Sequence, residues 1–174
     1  MGNAFRKVQG APNAGSATFA DFNAYPPSND AAAGFIVTPI MDRNGAFMGA
    51  LAFQMPIKRI NAVMQQKEGM GKTGETFIVG SDFLMRSDSR LSKEPTVLKT
   101  KVETETAKLA LAGKSGVRRT TDYRGDLVLS AYGPVKFQGV TFAVIAEIDE
   151  AEVTEPIISM GEDMAMAIVV VLIA

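Results

Sequence analysis

From Val140 to Ile148 a small or apolar residue falls at every second position: Val140, Phe142, Val144, Ala146 and Ile148. A repeat of two is the signature of a pleated strand, whose successive side chains point to opposite faces. These five residues are expected to share one face. Two turn signals come before them, Tyr123-Arg124-Gly125 and the stretch from Gly133 to Gly139, and they frame strand candidates at Val117–Asp122 and Leu127–Tyr132. The last third of the chain therefore reads as a three-stranded antiparallel meander.

The middle third supplies the partners for that meander. Glu75–Val79 reads as a strand, Gly80-Ser81-Asp82 as a turn and Phe83–Arg86 as a second strand. Ser87–Thr100 is polar loop. Lys101–Ala112 is expected to be helical, anchored by Val102, Leu109 and Leu111 and stopped by Gly113, a residue favoured just past a helix end. The order is two strands, a helix, then three antiparallel strands. It predicts an α+β, PAS-like module: a mainly antiparallel five-stranded sheet with one flanking helix and a pocket between them.

The first third is sparser. Residues 1–16 are small and polar and read as loose, and Phe19, Phe22 and Tyr25 lead into the loop signal Pro26-Pro27-Ser28-Asn29-Asp30. Gly34–Met41 and Ala46–Met55 flank Asp42-Arg43-Asn44-Gly45. Asn-Gly there marks a hairpin, because both residues tolerate positive φ. Pro56 opens a short helix, Ile57–Gln66, with Ile57, Ile60 and Met64 on one face. A hairpin and a helix are too little for an independent module, so residues 1–66 read as the C-terminal part of a second one. Residues 67–156 form the complete module, and 157–174 a juxtamembrane segment.

That last segment ends in Met164–Ala174, MAMAIVVVLIA, which has no charge and no turn former. A bilayer-spanning helix needs about 20 such residues. The run reads as the start of a transmembrane helix, and its β-branched centre leaves a terminal core strand or helix as the other reading.

Composition excludes several chemistries. The chain lacks histidine, cysteine and tryptophan. Thiol nucleophiles, Ser-His-Asp triads and thiolate or imidazole zinc sites are therefore ruled out. A net charge of −1 with dispersed Lys and Arg offers no basic stripe for nucleic acid. Gly69-x-Gly71-x-x-Gly74 spells a dinucleotide fingerprint but precedes a strand instead of opening a helix, so it reads as a linker. The ten methionines fall mostly in apolar runs and read as core filling. No metal site and no cofactor is expected. The acidic residues Asp149, Glu150, Glu152, Glu155, Glu162 and Asp163 match no calcium-loop spacing and read as a solvated linker.

The stretch Gly71-Lys72-Thr73-Gly74-Glu75-Thr76-Phe77-Ile78-Val79-Gly80-Ser81-Asp82, followed by Met85-Arg86-Ser87-Asp88-Ser89-Arg90, resembles Cache-type sensor domains of bacterial receptors. So do Asp122-Tyr123-Arg124-Gly125, Val128–Tyr132 and Ala146–Glu152. Together they look like the membrane-proximal module of a double-Cache receptor, and Phe19–Asn61 is similar to the closing strands of the membrane-distal module. The resemblance implies a periplasmic or extracellular sensing domain at the bacterial inner membrane. It also implies a homodimer, a small-molecule ligand, and a chemotaxis, histidine-kinase or cyclase output reached through the C-terminal membrane helix. An enzyme working through carboxylates alone would need paired acids in opposite environments, and the sequence puts none together, so no enzyme is expected. Amino-acid-binding members carry an aspartate near the end of a closing distal strand, where this chain has Gln54. Amino-acid specificity is therefore not carried over.

Candidate ligand contacts follow from residue chemistry. Arg86-Ser87-Asp88-Ser89-Arg90 sets two guanidinium groups beside a carboxylate just past a strand. Arg86 or Arg90 could take a ligand carboxylate, such as that of an organic acid, in a bidentate pair. Equally, both could pair with Asp88, Asp122 or Glu147 and fix the loop. Asp122, Tyr123 and Tyr132 complete the set, the tyrosines offering a hydroxyl each to a pocket or to the core. The remaining alternative for the module is a ligand-free spacer or dimerisation unit relaying a signal sensed upstream.

Overall fold

The computed structural model describes residues 2–10, 12, 13 and 15–155. Two antiparallel sheets are formed, of three and four strands. The first holds β1 (Thr18–Tyr25), β2 (Ala31–Met41) and β3 (Phe47–Met55) in that order, with helix α1 (Gly2–Gly10) laid across it. Helix α2 (Ile57–Met64) leads to the second sheet, which is ordered β4-β7-β6-β5. Its strands are β4 (Glu75–Val79), β5 (Gly116–Thr121), β6 (Leu127–Phe137) and β7 (Val140–Asp149), and α3 (Glu105–Leu111) packs on β6 and β7. Residues 150–155 are helical and continue directly from β7. The apolar run 164–174 lies outside the described residues.

Several expectations are corrected. Residues 2–10 are a helix where loose chain was expected, held by Ala4 and Val8, which sit one turn apart against Ala33, Phe35 and Val37. A third strand, β1, accompanies the expected hairpin. The second sheet has four strands instead of five. Residues 83–86 lie along the edge of β4 but pair only through isolated bridges, because Phe83 sits at φ 64° and breaks the pleat. Helix α3 is shorter than expected: Thr104 caps it, its Oγ1 accepting from the Ala107 amide, and Val102 is core in the segment before the cap. β6 runs through Gly133 and Pro134 to Phe137, so the turn shrinks to Gln138-Gly139 at φ 47° and 81°. That pair is the two-residue turn whose twist matches a hairpin. Pro134 is tolerated because β6 has lost β5 as a neighbour beyond Tyr132, so no ladder needs its missing N–H.

The alternation expected along β7 is present, and the parity that carries Ala143, Ile145 and Glu147 is the one turned to α3. Ala143, Ile145 and Glu147 are buried toward α3, while Val144, Ala146 and Ile148 are half-buried on the outer face beside Leu129, Ala131 and Val117. Alternation alone cannot say which parity faces the core, and here the core parity carries a glutamate.

The hairpins β2–β3 and β5–β6 use one device twice. In each, the aspartate that follows the first strand accepts two backbone amides on its Oδ1: Asn44 and Ala46 for Asp42, Arg124 and Asp126 for Asp122. The fourth residue, Gly45 or Gly125, takes positive φ (80° and 93°). Asn44 does not take positive φ, so the first turn is an aspartate-organised loop and not the two-residue Asn-Gly turn that the sequence suggested.

Between the sheets lies an aromatic junction. Phe19 and Phe22 of β1 meet Phe137 and Phe142 of the second sheet, with Phe19 ring centroids 5.2 Å from Phe137 and 6.2 Å from Phe142. Ile57 and Ile60 of α2, Met55 and Ile78 complete it. The core of the second sheet is separate: Phe77, Val79, Met85, Val102, Ala107, Ala110, Ala143 and Ile145.

Candidate functional site

The loop after β4 positions the expected arginines and acids, and each has a partner within the chain. Arg86 is 3% exposed. Its Nη2 lies 2.7 Å from Asp21 of β1, its Nη1 lies 3.0 Å from Asp82, and Nη1 also donates to the Leu84 carbonyl. Burial works against this charge, but the two carboxylates outweigh it and raise the guanidinium pKa. Gly80 makes the arrangement possible, since any Cβ there would collide with the guanidinium. Ser87 Oγ accepts the Ile78 amide. Asp88 accepts from the Thr96 and Val97 amides and from Asn61 Nδ2, and its own amide donates to Asn61 Oδ1, which ties the loop to α2. Arg90 donates to the carbonyls of Gly71, Lys72 and Gly74. The partner of Arg86 is thus Asp21, a residue the sequence reading passed over because it lies in the other sheet.

On the α3-facing side of the second sheet a polar row crosses three strands. Glu75 of β4 stands opposite Glu147 of β7, which stands opposite Ser130 of β6. All three are at most 3% exposed. Ser89 and Tyr123 donate to Glu75, and Ser130 donates to Glu147 at 2.8 Å. Burial pushes the Glu147 carboxyl up to about 7, reinforced by Asp122 and Glu75. Burial likewise raises the Tyr123 hydroxyl well above its ordinary value, so it remains a donor. Tyr132 packs against the same core. Asp122, Asp126 and Asp149 bring their carboxylates within 4.8 Å of one another, and the cation among them is the Arg124 guanidinium, which pairs with all three. Of the expected residues, Asp122, Tyr123 and Tyr132 border this row, and Arg86, Ser87, Asp88 and Arg90 do not. Glu75 was not singled out in the sequence and Glu147 entered only as a possible arginine partner, because alternation does not say which parity of a strand is buried.

The acidic run after β7 is partly clamped. Glu152 accepts from the Lys72 and Thr73 amides, both at 2.7 Å, and from Thr73 Oγ1. These bonds pull its pKa down to about 2. Thr73 Oγ1 also accepts the Asp149 amide. Arg90 holds the loop from the other side, so the 71–74 loop joins the 86–90 loop to the helical residues 150–155.

A concavity of about 520 Å³ lies between α1 and β1 and is lined by Asn3, Arg6, Lys7, Phe19, Asp21 and Asn23 among others. Its volume is within the ordinary range for a small-molecule site. Asp21 is common to this groove and to the Arg86 ion pair. Gln54 is exposed on β3.

Two antiparallel sheets joined through α2, with a polar row in the second and a strand leading straight into a helix, define a two-sheet α+β architecture. Residues 12–157 match the Cache domain model, and the chain belongs to the Cache domain family, whose members of this type are periplasmic sensor domains of membrane receptors. A search of curated proteins finds no match. Among solved structures, the periplasmic sensory domain of the Campylobacter jejuni chemoreceptor Tlp1 superposes with a TM-score of 0.71 at 18% identity, over 88% of this chain and 56% of that one. The ligand-binding domain of the Pseudomonas aeruginosa amino acid chemoreceptor PctC, in complex with GABA, gives 0.58 at 19% identity, over 83% and 59%. That of PctB from the same organism, in complex with L-Arg, gives 0.56 at 15% identity, over 87% and 59%. The chain spans between half and three-fifths of the length of these domains. Among the described residues no helix is long and apolar enough to cross a membrane.

Proposed function

We propose that this chain is the extracytoplasmic ligand-sensing input region of a bacterial transmembrane receptor and passes ligand occupancy toward the membrane through residues 150–155. The observation that carries the reading is Asp21. This one carboxylate lines the α1–β1 groove and holds the buried Arg86 of the second module. A ligand that shifts Asp21 shifts Arg86 and its loop, and Arg90 in that loop grips the 71–74 turn that clamps Glu152. Such a ligand drives the change only by binding one arrangement more tightly than the other. The apolar run 164–174, outside the described residues, is read from its sequence as the start of the membrane helix, and a homodimer is the assembly that the family resemblance implies.

Arg6 and Lys7 make the groove cationic on one wall, which suits an organic acid. The second module favours the relay role on a specific ground. The space beneath α3 is filled by Phe77, Met85, Val102 and Ile145, and the 86–90 loop is bonded within the chain. Asp122, Tyr123 and Tyr132 then act as walls of the relay, not as primary ligand contacts. A thermal-shift screen of the chain against dicarboxylates, amines and amino acids tests this. Dicarboxylates are expected to raise the melting temperature, and Arg6→Ala or Lys7→Ala to reduce that rise. A response to amines that both variants leave intact would contradict the groove assignment.

A further inference from the structure

Glu75 and Glu147 occupy directly opposed positions on β4 and β7, where side chains on one face have Cβ atoms about 5 Å apart. They are 1% and 3% exposed. Glu75 accepts from Ser89 and Tyr123, and one oxygen of Glu147 accepts from Ser130. Glu147 Oε2 is the one buried side-chain polar atom among the described residues that has no hydrogen-bond partner. An unpaired buried oxygen facing a like charge is costly, and a single proton removes both penalties by cancelling one charge and turning an acceptor into a donor.

We propose that Glu75 and Glu147 form a one-proton site, and that release of this proton to water loosens the junction between β4, β7 and residues 150–155. The surroundings hold few free charges. Asp122, Tyr123 and Arg124 face the pair from the β5–β6 turn, and Asp149 does so from β7 itself. Arg124 is the nearest cation, and Asp122, Asp126 and Asp149 already occupy it. On β5, Arg118 stands opposite Ser130 but is exposed and pairs with Glu105 of α3, while Lys108 of α3 pairs with Glu103. Arg119 takes Glu150. Arg90 is turned to the carbonyls of the 71–74 loop. Among the described residues, each of these neighbouring cations is already engaged elsewhere and none pairs with Glu75 or Glu147.

The position gives the proton an output. Glu75 directly follows the 71–74 loop that holds Glu152, and Glu147 lies three residues before the helical turn that carries Glu152. Repulsion between two ionised carboxylates therefore acts where that clamp joins the two strands. The proton site stands on the fold alone, and its use as a signal rests on the sensory reading above.

The test is a pH titration of the chain labelled with ¹³C at the glutamate carboxyls, together with amide exchange rates corrected for the intrinsic effect of pH. One carboxyl is expected to titrate near pH 7, to vanish in Glu147→Gln and to move downward in Glu75→Gln. Lys72 and Thr73 amides are expected to exchange several-fold faster once that carboxyl ionises. If every glutamate titrates in the ordinary carboxylate range, the proton site is overturned, and the ligand-sensing reading is untouched. If the carboxyl titrates near pH 7 while Lys72 and Thr73 exchange is constant, the coupling to residues 150–155 is overturned.

Discussion

Glu147 shows how one side chain sets a stability profile. Its folded pKa is raised from 4.5 to about 7, so between those values the folded chain holds a proton that the unfolded chain has released. Its contribution is therefore full below about pH 4.5 and is lost as pH rises through about 7. The loss is on the order of 3 kcal/mol for a shift of this size. Urea unfolding of the wild type is expected to show stability falling over that window, and Glu147→Gln to flatten the slope. A wild-type slope of the opposite sign would show that other groups dominate. Glu152 works the other way: its depressed pKa means that its bonds to the Lys72 and Thr73 amides weaken only in strong acid. The two glutamates lie in one short stretch of sequence and were not distinguishable there, because their environments come from β4, β6 and the 71–74 loop.

At the scale of elements, legibility tracked local chemistry. Strands β4 to β7 were readable because alternation and Gly-containing turns coincide, and Asp122-Tyr123-Arg124-Gly125 announces its hairpin. β1 was not recognised as a strand. Its pairing register shifts between Ala20 and Asn23, so Phe19 and Phe22, three residues apart, meet on the same side and the period-two signal is lost. Helix α1 was missed for a related reason: it has glycine at both ends and only Ala4 and Val8 to bury. The aspartate–glycine turn carries a prediction of its own. A Cβ at Gly125 meets nothing within 4 Å, so Gly125→Ala costs only the strain of φ 93°, about 1 kcal/mol. Urea midpoints are expected to show that loss, and Gly45→Ala a similar one. A neutral Gly125→Ala would mean that the turn rearranges without strain.

For the whole molecule, what was least visible in the sequence matters most to the function proposed. The resemblance led to an expectation of two modules, but it could not supply the contacts that join the two sheets. Asp21 and Arg86 are 65 residues apart, and Asn61 and Asp88 are 27 apart. Phe19 in the first third of the chain meets Phe137 and Phe142 in the last third. Nothing in local periodicity pairs such residues, and only the packing of β1 and α2 against the second sheet does. A buried ion pair of this kind adds little net stability against an apolar substitute, yet breaking it leaves an uncompensated charge. That makes Asp21–Arg86 a suitable place for one module to feel the other.

On the function proposed, a change at the α1–β1 groove is felt at residues 150–155 through this ion pair. Hydrogen exchange measured residue by residue on wild type and Asp21→Asn tests it most directly. Faster exchange is expected in β1, in the 86–90 loop and also at the Lys72 and Thr73 amides and residues 150–155, with the interior of β6 unchanged. Faster exchange confined to β1 and its immediate neighbours, with the Glu152 clamp as protected as in wild type, would contradict it.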